Sequence, residues 1–293
     1  MGVGRMGGAG HVTDMACTQN IAKLLSHIAA CRTATLPGAR LPFFAAGRHV
    51  GFLLPDFARK LAGISPDITV ASDRVTLNPA ATASLNEIAV AAGIRPRGED
   101  FDVRETPESE PVAVLDRAAL PAFGVIGAGV HVNGQVRRPD GVHLWVARRA
   151  ADKKLDPGKL DHLVAGGIPA GLTPMQTLLK EAAEEAGLPE PLAAQARQVG
   201  RFAYAMERPE GLRRDVVYAF DLDLPETFIP KPMDGEVESF ELWPLARLFA
   251  EVATGDNFKF NVNLVLIDLF IRQTLIEGDD AKTLRRALQG PDA

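Results

Sequence analysis

Apolar positions along the chain recur with two different periods. Met15 to Ala34 has helical spacing, with Ile21, Leu24, Leu25 and Ile28 on one stripe. Pro42-Phe43-Phe44 and Val50 to Leu54 flank Gly47-Arg48-His49 and predict a hairpin. Pro55-Asp56 opens a short helix through Leu61, because proline suits a first helical position. Ile68 to Val70 and Val75 to Leu77 predict a second strand pair, Ala80 to Ala92 a helix ended by Gly93, and Phe101 to Val103 a strand. Together these predict a small α+β unit. Its histidines, His27 and His49, have no partner at metal-ligand spacing and read as surface or packing residues.

From about Leu120 the pattern changes. Gly124 to Val132 and Val142 to Arg148 are β-branched, glycine-tolerant strands, with a turn expected at Asn133-Gly134 and the segment up to Gly141. A polar loop, Arg149 to Lys159, leads to Leu163-Val164-Ala165-Gly166-Gly167 and then a strong helix. Val199 to Ala205, Asp215 to Leu222 and Glu236 to Leu242 read as strands, and a last amphipathic helix starts near Asn261. Strands interrupted by helices predict a mixed sheet covered by helices. The expected division is a disordered start at 1–14, an N-terminal α+β domain at 15–117 and a second α/β domain at 118–293.

Composition narrows the classes. The 293 residues carry 32 Lys+Arg against 37 Asp+Glu, a formal charge of −5, which argues against a nucleic-acid partner held by phosphate contacts. No segment reaches the roughly 20 apolar residues of a membrane helix. The longest candidate, Val262 to Ile271, is interrupted by Asn263 and Asp268. The glycine-rich start lacks the apolar core of a signal peptide, so a cytoplasmic location is expected. Cys17 and Cys31 have neither disulfide-framework nor zinc spacing and read as buried small residues.

The chemistry concentrates in GGIPAGLTPMQTLLKEAAEEAGL, from Gly166 to Leu188. Thr173 is a good N-cap, Pro174 sits at the first helical position, and Gly187 is a left-handed terminator. Met175, Leu178, Leu179, Ala182, Ala183 and Ala186 line one face, and Glu181, Glu184 and Glu185 gather on the other. An acidic solvated face is the bland reading. Against it, carboxylates at the negative end of the helix dipole cost roughly 0.3–1 kcal/mol each. Glu181 and Glu185, like charges four residues apart, add a few tenths of a kcal/mol. Within the helix only Lys180 opposes this; a hard divalent cation would do so fully, since it prefers oxygen ligands. Gly166-Gly167 and Gly171 would allow close backbone approach in the preceding loop.

This arrangement resembles the Nudix box: Gly, five residues, Glu, seven residues, then Arg-Glu-aliphatic-x-Glu-Glu-x-Gly-aliphatic. Gly166, Lys180, Glu181, Ala182, Glu184, Glu185, Gly187 and Leu188 take the motif positions. Lys180 replaces the usual Arg, and Leu172 the first Glu. The span from about Phe43 to Ile276 further resembles the thiamine-pyrophosphokinase-related Nudix proteins, which place a small domain before the Nudix fold. The matching stretches include Gly127 to Gly134, Leu144 to Arg149, Pro157 to Asp161, Val164 to Gly171, Arg214 to Val216, Asp234 to Phe240 and Phe258 to Asn261. In that subfamily the positions of Leu172 and Lys180 are commonly aliphatic and Lys, so both departures are subfamily traits.

The resemblance implies an α/β Nudix fold, a mixed sheet between helices, preceded by the small α+β domain. It implies a Mg²⁺- or Mn²⁺-dependent diphosphatase acting on a small-molecule diphosphate. In this subfamily that is thiamine diphosphate or its oxo and oxy analogues, cleaved to the monophosphate and phosphate. Glu181, Glu184 and Glu185 are the expected metal-binding and catalytic core. A further catalytic carboxylate is expected from a later strand: Glu236 first, then Glu238 two residues on and so on the same strand face, with exposed strand-edge acids the competing reading. Gly166, Gly167 and Lys180 are expected near substrate. Arg148 and Lys154, with Arg149 and Lys153, are candidates for a phosphate-facing rim, and Arg214 for a substrate contact. Each has a plain structural alternative, a solvated loop or an ordinary strand residue. His131, His143 and His162 lack ligand spacing and read as structural, and Trp145 and Trp243 as core. The competing functions are a pyrophosphatase of an oxidised nucleoside diphosphate or nucleotide sugar, and a non-catalytic diphosphate sensor. For the N-terminal domain the sequence admits both a homodimer surface and a cover for the substrate cleft.

Overall fold

The structure, a computed structural model, describes residues 9–290 and the side chains of 20–290. The chain opens with α1 (Ala9–Ala30), and the first unit then contains β1 (Leu41–Ala45), β2 (Arg48–Leu53), α2 (Pro55–Ile64), β3 (Ile68–Val70), β4 (Val75–Leu77), a 3₁₀ turn at Pro79–Ser84, α3 (Leu85–Ala91), β5 (Asp100–Val103) and β6 (Ala113–Asp116). Four strands form a sheet in the order β2-β1-β4-β3, with β1 and β4 parallel, while β5 and β6 make a separate antiparallel ribbon. The helix expected over Ala80–Ala92 divides at Ser84. Its first half is the 3₁₀ turn that follows Pro79, where the Asn78 side chain accepts from the Ala80 N–H at 3.1 Å.

The second unit runs through α4 (Leu120–Phe123), β7 (Ile126–Arg138), β8 (Gly141–Arg149), β9 (Leu160–Asp161), β10 (Val164–Gly167), α5 (Pro174–Ala186), α6 (Glu190–Ala193), β11 (Arg197–Arg208), β12 (Gly211–Asp223), β13 (Val237–Pro244), α7 (Leu245–Thr254), α8 (Val262–Arg272) and α9 (Gly278–Gln289). Its sheet has the order β11-β12-β7-β8-β13, with β10 paired to β7 and β9 to β8. β12 runs parallel to β7 and the remaining pairs are antiparallel, so the sheet is mixed. Leu178, Ala182 and Ala186 of α5 pack on one side against Val130, Val132 and Val164. On the other side the helices α7, α8 and α9 bury Leu248, Leu266 and Leu284 with Trp243 and Tyr204 of the sheet.

Three expectations change. Asn133-Gly134 does not turn: both lie inside β7, Asn133 donating to Asp221 at 2.8 Å, and a Cβ at Gly134 would collide with the Leu163 side chain. The reversal falls instead at Pro139-Asp140, between β7 and β8. Val262–Ile271 is not amphipathic, because α8 is buried nearly all round and Asn263 is buried, its Nδ2 3.2 Å from His27 Nδ1. The 15–117 domain also loses its first helix, since Leu24, Ile28 and Cys31 pack in the same core as α7, α8 and α9. Of the expected disordered start at 1–14, residues 1–8 lie outside the described residues, and α1 already begins at Ala9. Among the described residues no helix is long and apolar enough to cross a membrane.

The two units are tied together where the site forms. Ala170 N–H donates to the Asp100 carbonyl at 2.8 Å, and Gly171 N–H to Asp102 Oδ2 at 3.2 Å. The ring of Phe101 lies so close to Gly167 that a Cβ there would stand 2.7 Å from Cζ. The first unit thus braces the loop that feeds α5.

Candidate active site

Local sequence fixes α5 at both ends. Thr173 Oγ1 accepts from the Gln176 N–H at 3.2 Å and Gln176 Oε1 accepts from the Thr173 N–H at 2.9 Å, a reciprocal capping box. Gly187 ends the helix at φ 60°, in the left-handed region glycine favours. With both ends set, Glu181 and Glu185 are one turn apart on the side facing β10. Glu181 lies flat against Gly166: a Cβ there would stand 2.6 Å from Oε2 and 2.5 Å from Cδ. Gly166 is therefore the space that Glu181 occupies.

Glu185 is 6% exposed and accepts from the Ala165 N–H at 2.9 Å. Burial and the nearby charges of Asp161, Glu181 and Glu236 raise its pKa to about 8, against the lowering effect of the Ala165 N–H. Burial also raises Glu181, although Lys180 opposes this. The acidic arc is therefore not a solvent face: Ala183 is exposed and Glu185 is buried. Glu184 is half-exposed, and Lys180 Nζ bridges it to Glu181 at 2.6 and 3.1 Å. Lys180 is thus engaged with the glutamates themselves.

Glu236 precedes β13, exposed and ion-paired to Lys153. Burial would raise its pKa, but Lys153 holds it below the ordinary glutamate value, and its charge is felt at both Glu181 and Glu185. Glu238 departs from the expected alternation. A bulge between Val237 and Ser239 leaves it outside the register with β8, so it need not share a face with Glu236. Arg148 donates to the Gly158 carbonyl at 3.0 Å and supports its own loop, and Lys154 is exposed. Arg214 is 6% exposed, donates to the Gly124 carbonyl at 3.0 Å and stacks on Phe52 at 4.9 Å. Burial lowers its pKa to about 10, and it has no carboxylate partner among the described residues.

Behind the glutamates lies a network that the sequence did not reveal. Asp161, buried, pairs with Arg149 at 2.8 Å and Lys259 at 3.5 Å. Burial would raise it, but these cations hold it well below the usual carboxylate range. His131 and His162 meet Nδ1 to Nδ1 at 2.9 Å, and burial pushes His162 down to about 4. One ligand atom from each of His131, Asp161 and His162 falls within 4.8 Å of the others, a spacing that a metal ion would fit. Arg149 and Lys259 already compensate the only carboxylate in that trio. These histidines sit 31 positions apart, and only the β10–β7 pairing brings them together.

Gly166 and Gly167 lie not in the expected loop but at the end of β10, and beside them is a cavity of about 130 Å³ lined by residues of both units. Arg97, Phe101 and Arg117 come from the first unit; Gly166, Gly167, Asp215 and Lys259 come from the second. Asp215 accepts from Tyr204 at 2.6 Å and from Arg213 at 2.5 Å, and sits over Gly127, where a Cβ would meet its Oδ1 at 2.5 Å.

Glu181 and Glu185 suit a hard divalent cation. They are all-oxygen donors, partly stripped of water, and their proton affinity is raised by burial and by neighbouring carboxylates, Glu236 among them for both, which a bound cation would reverse.

A family model described as the NUDIX domain matches residues 128–263. The chain is 36% identical over 252 residues to Nudix hydrolase 24, chloroplastic, of Arabidopsis thaliana, across 82% of this chain and 69% of that protein. It is 40% identical over 203 residues to Nudix hydrolase 20, chloroplastic, of the same plant, across 69% of this chain and 54% of that protein. The aligned part is thus about half the length of the latter relative. Among solved structures, DR0079 from Deinococcus radiodurans superposes with a TM-score of 0.43 at 22% identity, covering 64% of this chain and 99% of that one. The chain belongs to the Nudix family, with an α/β Nudix fold preceded by additional α+β structure.

Proposed function

We propose that the protein is a metal-dependent diphosphatase that hydrolyses the diphosphate of a small thiamine-type compound to its monophosphate and phosphate. The observation that carries the hydrolytic part is the convergence of Glu181 and Glu185 on the Gly166 loop, directly beside a cationic cavity. The thiamine-type group rests on the resemblance that runs from Phe43 to Ile276.

Glu181 and Glu185, with half-exposed Glu184 beside them, would hold Mg²⁺ or Mn²⁺. When bound, such an ion supplies positive charge that neutralises a diphosphate and acidifies water. Lys180 keeps Glu184 turned toward Glu181. Gly166 lets the backbone and the Glu181 carboxyl come together. Glu236, held ionised by Lys153, makes its charge felt at the same carboxylates and is our candidate to take the proton of an attacking water. Water adds across the P–O–P bridge, one product keeping the organic group and the other leaving as phosphate.

The test is phosphate release with Mg²⁺ from thiamine, oxythiamine and oxothiamine diphosphates, alongside nucleoside diphosphates and nucleotide sugars. The expected outcome is preferred turnover of the thiamine-type compounds, lowered at least a hundredfold by Glu185→Gln. Preferred turnover of the nucleotides would overturn the substrate assignment. No turnover by the parent protein would overturn the hydrolase reading in favour of a diphosphate sensor.

A further inference from the structure

The cavity wall opposite the Gly166 loop belongs to the N-terminal unit, and one residue there is built to meet an anion. Arg117 follows β6, and its backbone is fixed from both sides. Its own N–H donates to the Glu99 carbonyl at 2.8 Å, and the next N–H, that of Ala118, donates to Asp116 Oδ1 at 2.8 Å. Asp116 in turn collects the N–H groups of Arg97 and Gly98 at 3.0 and 2.8 Å, so the strands of the β5–β6 ribbon and the loop before them hold Arg117 in one place.

The side chain lies across the ring of Phe101, Cζ 5.7 Å from the centroid, and Phe101 itself abuts Gly167. Gly167 is the neighbour of Gly166, which abuts Glu181. Consecutive strand residues point to opposite faces, so Glu181 and the Phe101–Arg117 pair approach the glycine pair from its two sides. The charge of Arg117 is felt at Glu236, Asp215 and Lys259. Arg213 is committed to Asp215 and Lys259 to Asp161, both pairs less exposed than that of Arg117. Arg117 is about one-third exposed, and its one partner, Glu99 at 2.8 Å, is similarly exposed. A pair so open to water is worth little and exchanges readily for a phosphate, which matches the planar fork of arginine.

Resting on the diphosphatase reading above, we propose that Arg117 binds a phosphate group of the substrate, so that the N-terminal unit completes the active site. The ligand class is a diphosphate held between Arg117 on one side and the Glu181–Glu185 side on the other.

Two measurements test this on the full chain. Calorimetric binding of methylenediphosphonate with Mg²⁺ probes the anion site without turnover, and steady-state kinetics follow on the preferred diphosphate. Arg117→Gln should weaken diphosphonate binding and raise KM at least tenfold, with kcat changed less than threefold and Mn²⁺ affinity unchanged. Arg117→Lys should recover part of the loss. Glu99→Gln, which removes the partner but leaves the guanidinium free, should bind diphosphonate as tightly as the parent or tighter; a bracing role for the ion pair would instead make Glu99→Gln and Arg117→Gln equally defective. Parent-like binding by Arg117→Gln overturns the proposal even where the parent is an active hydrolase. A parent that binds diphosphonate through Arg117 without cleaving any diphosphate leaves the proposal standing and removes the hydrolase reading. A parent that binds no diphosphonate overturns both.

Discussion

Gly166 and Glu181 share one small volume, and this contact sets the geometry of the carboxylates. A methyl group at position 166 would stand 2.6 Å from Glu181 Oε2, a distance at which the carboxyl or the strand must shift. Gly166→Ala should therefore lower kcat/KM tenfold or more while the protein stays folded, as checked by kinetics and circular dichroism; parent-like kinetics would show that Glu181 can work from elsewhere. Glu185 makes a second prediction. Its folded pKa of about 8 lies far above the ordinary glutamate value, so in the absence of divalent cation the folded state holds a proton that the unfolded chain has released. Stability from this group is complete below the unfolded pKa and is lost as pH rises through about 8. The buried histidines, whose pKa values are lowered, act in the opposite sense, but only below the histidine value of 6.5. Between pH 6.5 and 8.5 the melting temperature in chelator should fall for the parent and stay nearly level for Glu185→Gln. Parallel curves would contradict the burial argument.

At the scale of elements, α5 was legible because every signal for it is local. Its N-cap, its proline, its terminating glycine and the spacing of its glutamates all lie within one short stretch of sequence, and the capping box and φ of Gly187 follow from them. Thr173→Ala, which removes the cap, should cost about 1 kcal/mol and lower the melting temperature by a few degrees, with Thr173→Ser retaining most of it. No change on Thr173→Ala would mean that tertiary packing alone sets the start of the helix. The misread elements are those decided by distant partners. Asn133-Gly134 carries a local hairpin signal, yet Asp221 and Leu163 hold it inside β7. Val262–Ile271 looks two-sided because of Asn263 and Asp268. In the fold, α1 supplies His27 to one, and Arg272 pairs with the other at 2.6 Å. The Glu236–Glu238 alternation crosses a bulge, between Val237 and Ser239, that leaves no mark in composition.

At the scale of the whole molecule, the glutamates were readable from sequence and their surroundings were not. The box names Glu181, Glu184 and Glu185, but Asp161, Lys259 and Arg149 meet behind them only because β8, β9 and the segment before α8 are brought together. Arg117 and Phe101 reach the site from a unit with no catalytic spacing of its own, through the β5–β6 ribbon. The N-terminal structure is thus one wall of the cavity, and the end of β10, with Gly166 and Gly167, and the loop after it are the seam where both units meet. At that seam, in the reading proposed above, Glu181 and Glu185 form a divalent-cation site. Calorimetric titration of Mn²⁺ into the full chain tests it most directly. Saturable binding by the parent, weakened at least tenfold by Glu185→Gln with an unchanged far-ultraviolet spectrum, is the predicted result; no binding by the parent, or equal binding by the two proteins, would contradict it.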